Sequence, residues 1–147
     1  MGGTVRDQLL GLVYKDRDLL VASLPLTEIT TLLKNFGESF LVGKSFGVIK
    51  FRPSGSDESF DIALPRREVS VGPGHKDFEV SFDPSLPVEI DLSRRDFTIN
   101  AMARDVKSER LIDPFGGRED LNKKNLRMVS DKAFEEDPLR ILRGIQF

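Results

Sequence analysis

The stretch FGVIKFRPSGSDESFDIALP, residues 46–65, is what most limits the folds open to this chain. FGVIKFR and SFDIALP mix β-branched and aromatic residues with polar ones. Between them lie the turn formers Ser54-Gly55-Ser56-Asp57. Two strands joined by a turn belong to one sheet, so the rest of the chain has to supply that sheet's other strands and its cover. FLVGK, just ahead, reads as another strand. LLVA, within Arg17–Ser23, is an apolar run suited to a central strand.

The cover comes from helices. Leu26, Ile29, Leu32, Leu33 and Phe36 keep helical spacing from Thr27 until Gly37 stops them. Thr4 can cap a short helix, VRDQLL, that Gly11 ends. VEIDLSRR reads as another short helix, and Asp137-Pro138 sets up a last one carrying LRILRGIQF by the cap-then-proline rule. Ile99, Ala101 and Ala103 alternate in TINAMARD as in a strand, with RLIDPF returning beside it and LRMV as one more. Residues 66–80, RREVSVGPGHKDFEV, are expected to be a mobile loop. Strands outnumber helices in a mixed order, which gives an α+β fold with one mixed sheet.

A chain of 147 residues can build a core without covalent staples. It has no cysteine, which excludes disulfides and thiolate metal sites. No apolar run is long enough to span a membrane and no leader precedes the first helix, so the expectation is a cytoplasmic protein with no membrane partner. A net charge of −2 argues against coating nucleic acid nonspecifically, while leaving room for a local site where arginines meet phosphate. Both ends of the sequence look cut, as in a head separated from its body.

Two apparent motifs fail on inspection. Gly43-Lys44-Ser45 resembles the end of a phosphate-binding loop, but five residues rather than four separate Gly37 from Gly43, and the helix precedes the segment instead of following it. His75 has no second histidine with which to share a metal. No serine sits in a nucleophile elbow.

Four other features line up. Gly2-Gly3 ahead of a helix leaves backbone N–H groups open to an anion. Arg6, in that helix's first turn, opposes the dipole unless it meets a phosphate; otherwise it simply faces solvent. In KDRDLLVAS, Asp16 and Asp18 share one face of an extended segment, where their repulsion is offset either by Mg²⁺ or by a solvated loop end. Arg95 and Asp96 in SRRDFTINAMARD could meet a phosphate and a ribose hydroxyl, or form a surface salt-bridge patch. Asp137, Arg140 and Arg143 run along one side of the last helix, as donors and acceptor for the edge of a base or as an ordinary cap and i,i+3 pair.

GGTVRDQLLG with KDRD, then RRDFTINAMA, IDPFGGREDL and EEDPLRILR, resemble in order and spacing the head and start of the neck of the class II tRNA nucleotidyltransferase and bacterial poly(A) polymerase family. ALPRREVSVGPGHKDFEV is more similar to the CCA-adding branch. The resemblance implies a nucleotidyltransferase-type head, residues 1–130, on a mixed, roughly five-stranded sheet whose first strand is missing, and the start of a helical neck at 131–147. It implies Mg²⁺-dependent addition of C and A from CTP and ATP to the 3′ end of tRNA, with release of pyrophosphate.

By the same resemblance Asp16 and Asp18 bind the metals, with Asp61 a candidate third carboxylate. Gly2, Gly3, Arg6, Arg95, Asp96, Asn100, Asp137, Arg140 and Arg143 bind the nucleotide. The family usually has another arginine where this chain has Gln146, which weakens any assignment at the far end of the pocket. Poly(A) addition, CC-only or A-only addition, and a nucleotide-binding module without turnover are the alternatives.

Overall fold

A computed structural model describes residues 1–13, 17–42, 47–70, 78–131, 139–145 and 147. In chain order they form α1 (Gly3–Leu9), β1 (Arg17–Leu20), α2 (Leu26–Leu33), β2 (Gly37–Val42), β3 (Val48–Pro53), β4 (Phe60–Ala63), β5 (Arg66–Ser70), β6 (Phe78–Phe82) and α3 (Val88–Ser93). A 3₁₀ turn (Thr98–Asn100), β7 (Ala103–Arg104), β8 (Leu111–Ile112), α4 (Gly117–Lys123) and α5 (Leu139–Gly144) follow. This is the expected α+β class. No described helix is long and apolar enough to cross a membrane.

The main sheet has the order β1-β4-β3-β2. The turn after Pro53 does pair its flanking segments: β3 and β4 run antiparallel, with Ile49 opposite Ile62 and Lys50 opposite Asp61. β2 adds antiparallel to β3, and β1 adds parallel to β4, so the sheet is mixed. Alternation along β3 sends Ile49 and Phe51 inward and Lys50 and Arg52 outward. Ile29 of α2 closes over Ile49, Phe51, Ile62 and Leu64 on the inner face, with Leu19, Val21 and Phe60 packed around them. The opposite face of the same three strands carries Asp18, Asp61 and Lys50 in one row. A second cluster, Leu92, Ala101 and Ala103 with Val88, Ile112, Phe115 and Val129, holds α3 against the β7–β8 pair.

Several expectations are corrected. The main sheet is mixed as expected and has four strands among the described residues, but β1 lies at the end of the strand order rather than at its centre. The segment at 66–80 is in part a ribbon, β5 paired antiparallel with β6 from Arg66–Phe82 to Ser70–Phe78; residues 71–77, including His75, lie outside the described residues, as does Gly43-Lys44-Ser45. Thr98, Ile99 and Asn100 form a 3₁₀ turn, not a strand. All three are buried, so the apparent alternation reflected a segment enclosed on every side. LRMV contributes a single bridge, Met128 to Phe97.

Helix α4 was not anticipated. Asp113 starts it, its carboxylate accepting from the N–H groups of Gly117 (2.7 Å) and Arg118 (3.0 Å). Gly117 is required by close approach, because a Cβ there would run into the carbonyl oxygen of Thr98.

Candidate functional site

The site is built where α1 meets β1. The cap of α1 is Gly2, not Thr4, and Gly2 holds a left-handed φ of 62°. Its N–H donates to the Met102 carbonyl at 2.9 Å, and its own carbonyl accepts from Val5 (3.0 Å) and Arg6 (3.1 Å). A Cβ at position 2 would strike Nη1 of Arg95, so glycine serves both the backbone conformation and the approach of that guanidinium. Freed from capping, the Thr4 hydroxyl accepts from the N–H of Asp18 at 3.5 Å, which sets the first turn of α1 beside β1.

Asp18 lies directly across from Asp61 in the parallel β1–β4 pair. Two neighbours in register point to the same face, so the strands bring together acids 43 positions apart in the chain. Lys50, the next residue in that row, forms an ion pair with Asp61 at 3.6 Å. Asp16 lies outside the described residues. Among those described no group of three or more acids or histidines converges, but the donors at hand, carboxylates on adjacent strands, are the hard oxygen ligands that Mg²⁺ takes.

Arg6 falls in the last turn of α1, since that helix is only seven residues long; it does not oppose the dipole as the sequence suggested. Its guanidinium donates to Asp7 Oδ1 and Asn100 Oδ1, both at 2.8 Å, and lies over the Phe147 ring at 4.8 Å. Arg95 donates Nη1 to the Asn100 carbonyl at 3.3 Å. Burial pulls its pKa down, Asp91 opposes that, Arg94 adds to it and Asp18 again opposes it. Gly2, Arg6, Asp18, Arg95 and Asn100 are thus gathered around one turn.

Asp96 faces a different neighbourhood. Its carboxylate is buried, accepting from Phe97 N–H (2.8 Å), Asn100 Nδ2 (3.3 Å) and Arg143 Nε (2.8 Å). Arg140 donates Nη2 to the carbonyl of Arg94 at 2.9 Å. Arg140 and Arg143 therefore do share a side of α5, and that side rests on residues 94–97. Asp137 and Gln146 lie outside the described residues. Beside this junction Phe97, Leu126, Met128, Ile141 and Gly144 line a cleft of about 490 Å³.

Sequence reasoning passed over Asp91, Thr98, Asp120 and Arg127. Asp91 pairs with Arg94 and Arg95 at i+3 and i+4 on α3, a spacing visible in the sequence. Asp120 accepts from Thr98 Oγ1 (2.6 Å), Arg127 Nε (3.0 Å) and Asn125 Nδ2 (3.0 Å), partners no local rule could have named.

A parallel pair of acid-bearing strands, an antiparallel extension and a glycine turn under a half-buried arginine define an α+β head. The model of the poly(A) polymerase head domain matches residues 1–127, and the chain belongs to that family. The multifunctional CCA protein of Haemophilus ducreyi is 46% identical over 147 residues, all of this chain and 33% of the relative. Among solved structures, a CCA-adding enzyme in an apo form superposes with a TM-score of 0.85 at 34% identity, over 99% of this chain and 34% of the other. The Bacillus stearothermophilus CCA-adding enzyme in complex with CTP gives 0.79 and 32%, over 99% and 33%. The Thermotoga maritima CCA-adding enzyme complexed with tRNA gives 0.73 and 32%, over 99% and 31%. The chain spans about a third of the length of these relatives.

Proposed function

We propose that the protein adds C and A from CTP and ATP to the 3′ end of tRNA. The observation that carries this reading is the register of Asp18 against Asp61 on the sheet face next to the Gly2 turn and Arg95. The family membership and the likeness to CCA-adding enzymes solved with CTP and with tRNA support it. In this reading residues 1–130 are the catalytic head and 131–147 begin a helical neck. The protein works in the cytoplasm, where its substrates are.

Asp16 and Asp18, with Asp61, would hold Mg²⁺, which supplies charge neutralisation at the attacking and leaving oxygens. The chain's own part is orientation. Gly2 and Gly3 offer the start of α1, while Arg6 and Arg95 bring two guanidinium groups to the same turn, where a triphosphate would carry its charge. Asn100 links these two arginines, accepting from Arg6 with its side chain and from Arg95 with its backbone. Asp96 acts as organiser, holding Asn100 on one side and Arg143 on the other. Asp137, Arg140 and Arg143 would read the base and support the nucleotide.

The reaction is in-line attack of the RNA 3′-oxygen on the α-phosphorus. A new P–O bond forms, the bond to the β-phosphate bridge breaks with its electron pair, and the hydroxyl proton passes to solvent as pyrophosphate leaves. Full-length protein given labelled CTP, ATP and tRNA lacking its CCA end tests this directly. Stepwise addition of two C and one A is expected. Runs of A would assign poly(A) addition, C alone or A alone a split enzyme, and binding without incorporation a module without turnover.

A further inference from the structure

Asp91 is the most deeply buried charged group described, with no exposed surface, yet no step above uses it. It faces two cations at once. Its Oδ1 takes both Nε and Nη2 of Arg94 at 2.9 Å, a tight side-on pair. Among the described residues its Oδ2 reaches only Nη2 of Arg95, at 3.5 Å, and accepts no hydrogen bond. Nε of Arg95 is likewise buried and without a hydrogen-bond partner among the described residues. One carboxylate thus serves two guanidinium groups, and Arg95 is the more loosely held of the two. That guanidinium reaches the Gly2 turn with its other nitrogen, Nη1. A half-buried cation with a slack ion pair is stabilised by an additional anion placed near it.

We propose that Asp91 is a positioning residue for nucleotide binding: it holds the Arg95 guanidinium at the Gly2 turn, where Arg95 takes the triphosphate. This rests on the reading of Arg95 given above. The tight pair with Arg94 fixes the carboxylate, and the slack pair lets Arg95 turn toward phosphate without leaving its counter-charge. Arg94 has a second use, since its carbonyl receives Arg140 of α5. Asp91 therefore sits under both the phosphate contact and the helix assigned to the base.

The test is a double-mutant cycle in the full-length protein with Asp91→Asn, Arg95→Ala and the pair, measuring KM for CTP and for ATP, kcat and the thermal midpoint. Asp91→Asn should raise KM for both triphosphates by roughly tenfold, about what a hydrogen bond to a charged group carries, and lower kcat less. In the Arg95→Ala background the same change should leave KM unaltered. An unchanged KM in Asp91→Asn, or a KM effect that persists without Arg95, overturns the inference. If the Asn variant does not fold, Asp91→Glu, which keeps the charge but displaces it, enters the same cycle with the same criteria. Should Arg95→Ala itself leave KM for both nucleotides unchanged, the phosphate reading of Arg95 fails instead, which separates the two failures.

Discussion

Arg143 Nε donates to Asp96 Oδ2 at 2.8 Å, across 47 positions of sequence, and this contact fastens α5 to the segment between α3 and the 3₁₀ turn. The two partners are unequal: Asp96 is 6% exposed and the Arg143 side chain 60%. Removing each should have a different result.

Asp96→Ala leaves the Phe97 N–H, the Asn100 amide and a guanidinium without their acceptor, and should cost about 1–3 kcal/mol. Arg143→Ala removes the exposed partner and should cost under about 1 kcal/mol. Urea unfolding of both variants checks this. Equal losses would show that the contact, rather than the burial of Asp96, carries the stability.

Gly117→Ala places a methyl group against the Thr98 carbonyl, a backbone atom that cannot step aside alone. The 3₁₀ turn bearing Asn100 would have to shift, so the substitution should lower stability by about 1–3 kcal/mol. It should also raise KM for nucleotides through Asn100 and its contact with Arg6. A variant as stable as the parent would mean that α4 can move away from Thr98.

The sheet was legible because its pattern is local. β3 and β4 alternate around a turn of Ser, Gly and Asp, and α2 keeps helical spacing. What escaped was set by tertiary neighbours. The 3₁₀ turn looked like a strand because Ile99, Ala101 and Ala103 are small or apolar at period two, whereas Asn100 and Met102 between them, and Thr98 before them, are buried as well. Asp18 could be singled out from its own segment, but its pairing with Asp61 depends on a parallel register that no local pattern encodes. Arg95 and Asp96, adjacent in sequence, diverge to different partners because the chain turns between α3 and the 3₁₀ segment.

Acid should weaken the Thr98–Asp120 junction. Burial raises the pKa of Asp120, but hydrogen bonds from Thr98, Arg127 and Asn125 together outweigh it and hold it below the ordinary 3.8. A depressed carboxylate contributes stability that is fully present above the unfolded value of 3.8 and is lost as pH falls through the lower folded value. Asp120→Asn should therefore lose stability at neutral pH and show a smaller further loss than the parent on acidification to about pH 3. Parallel pH profiles for parent and variant would remove Asp120 from the account.

Asp18→Asn keeps the size of the side chain and its strand position while removing the charge. Under the proposed reading it should nearly abolish nucleotide incorporation and leave the unfolding midpoint close to the parent's, since repulsion from Asp61 in register offsets the attraction of Asp18 for Arg95. Asp61→Asn, whose partner Lys50 is half exposed, should behave similarly in stability. Incorporation at the parent's rate by Asp18→Asn would end the metal assignment.

Base choice and phosphate binding should separate between Asp137 and Arg6. Cytosine and adenine both present an exocyclic amine beside a ring-nitrogen acceptor. A carboxylate can accept from the amine while a guanidinium donates to the ring nitrogen. Uracil and guanine place a carbonyl and an N–H at those positions, so both contacts reverse. Losing such a pair changes discrimination by about 1–3 kcal/mol, or roughly ten- to two-hundredfold. Asp137→Ala should therefore relax rejection of UTP and GTP more than it weakens CTP or ATP. Arg6 sits on α1, held by Asn100 and Asp7 beside the Gly2 turn, where no base edge is expected. Arg6→Ala should raise KM for all four nucleotides by a similar factor and leave their ranking intact. Competition assays with the four triphosphates on full-length protein measure both effects, and continued rejection of UTP by Asp137→Ala at the parent's level would remove base reading from that residue.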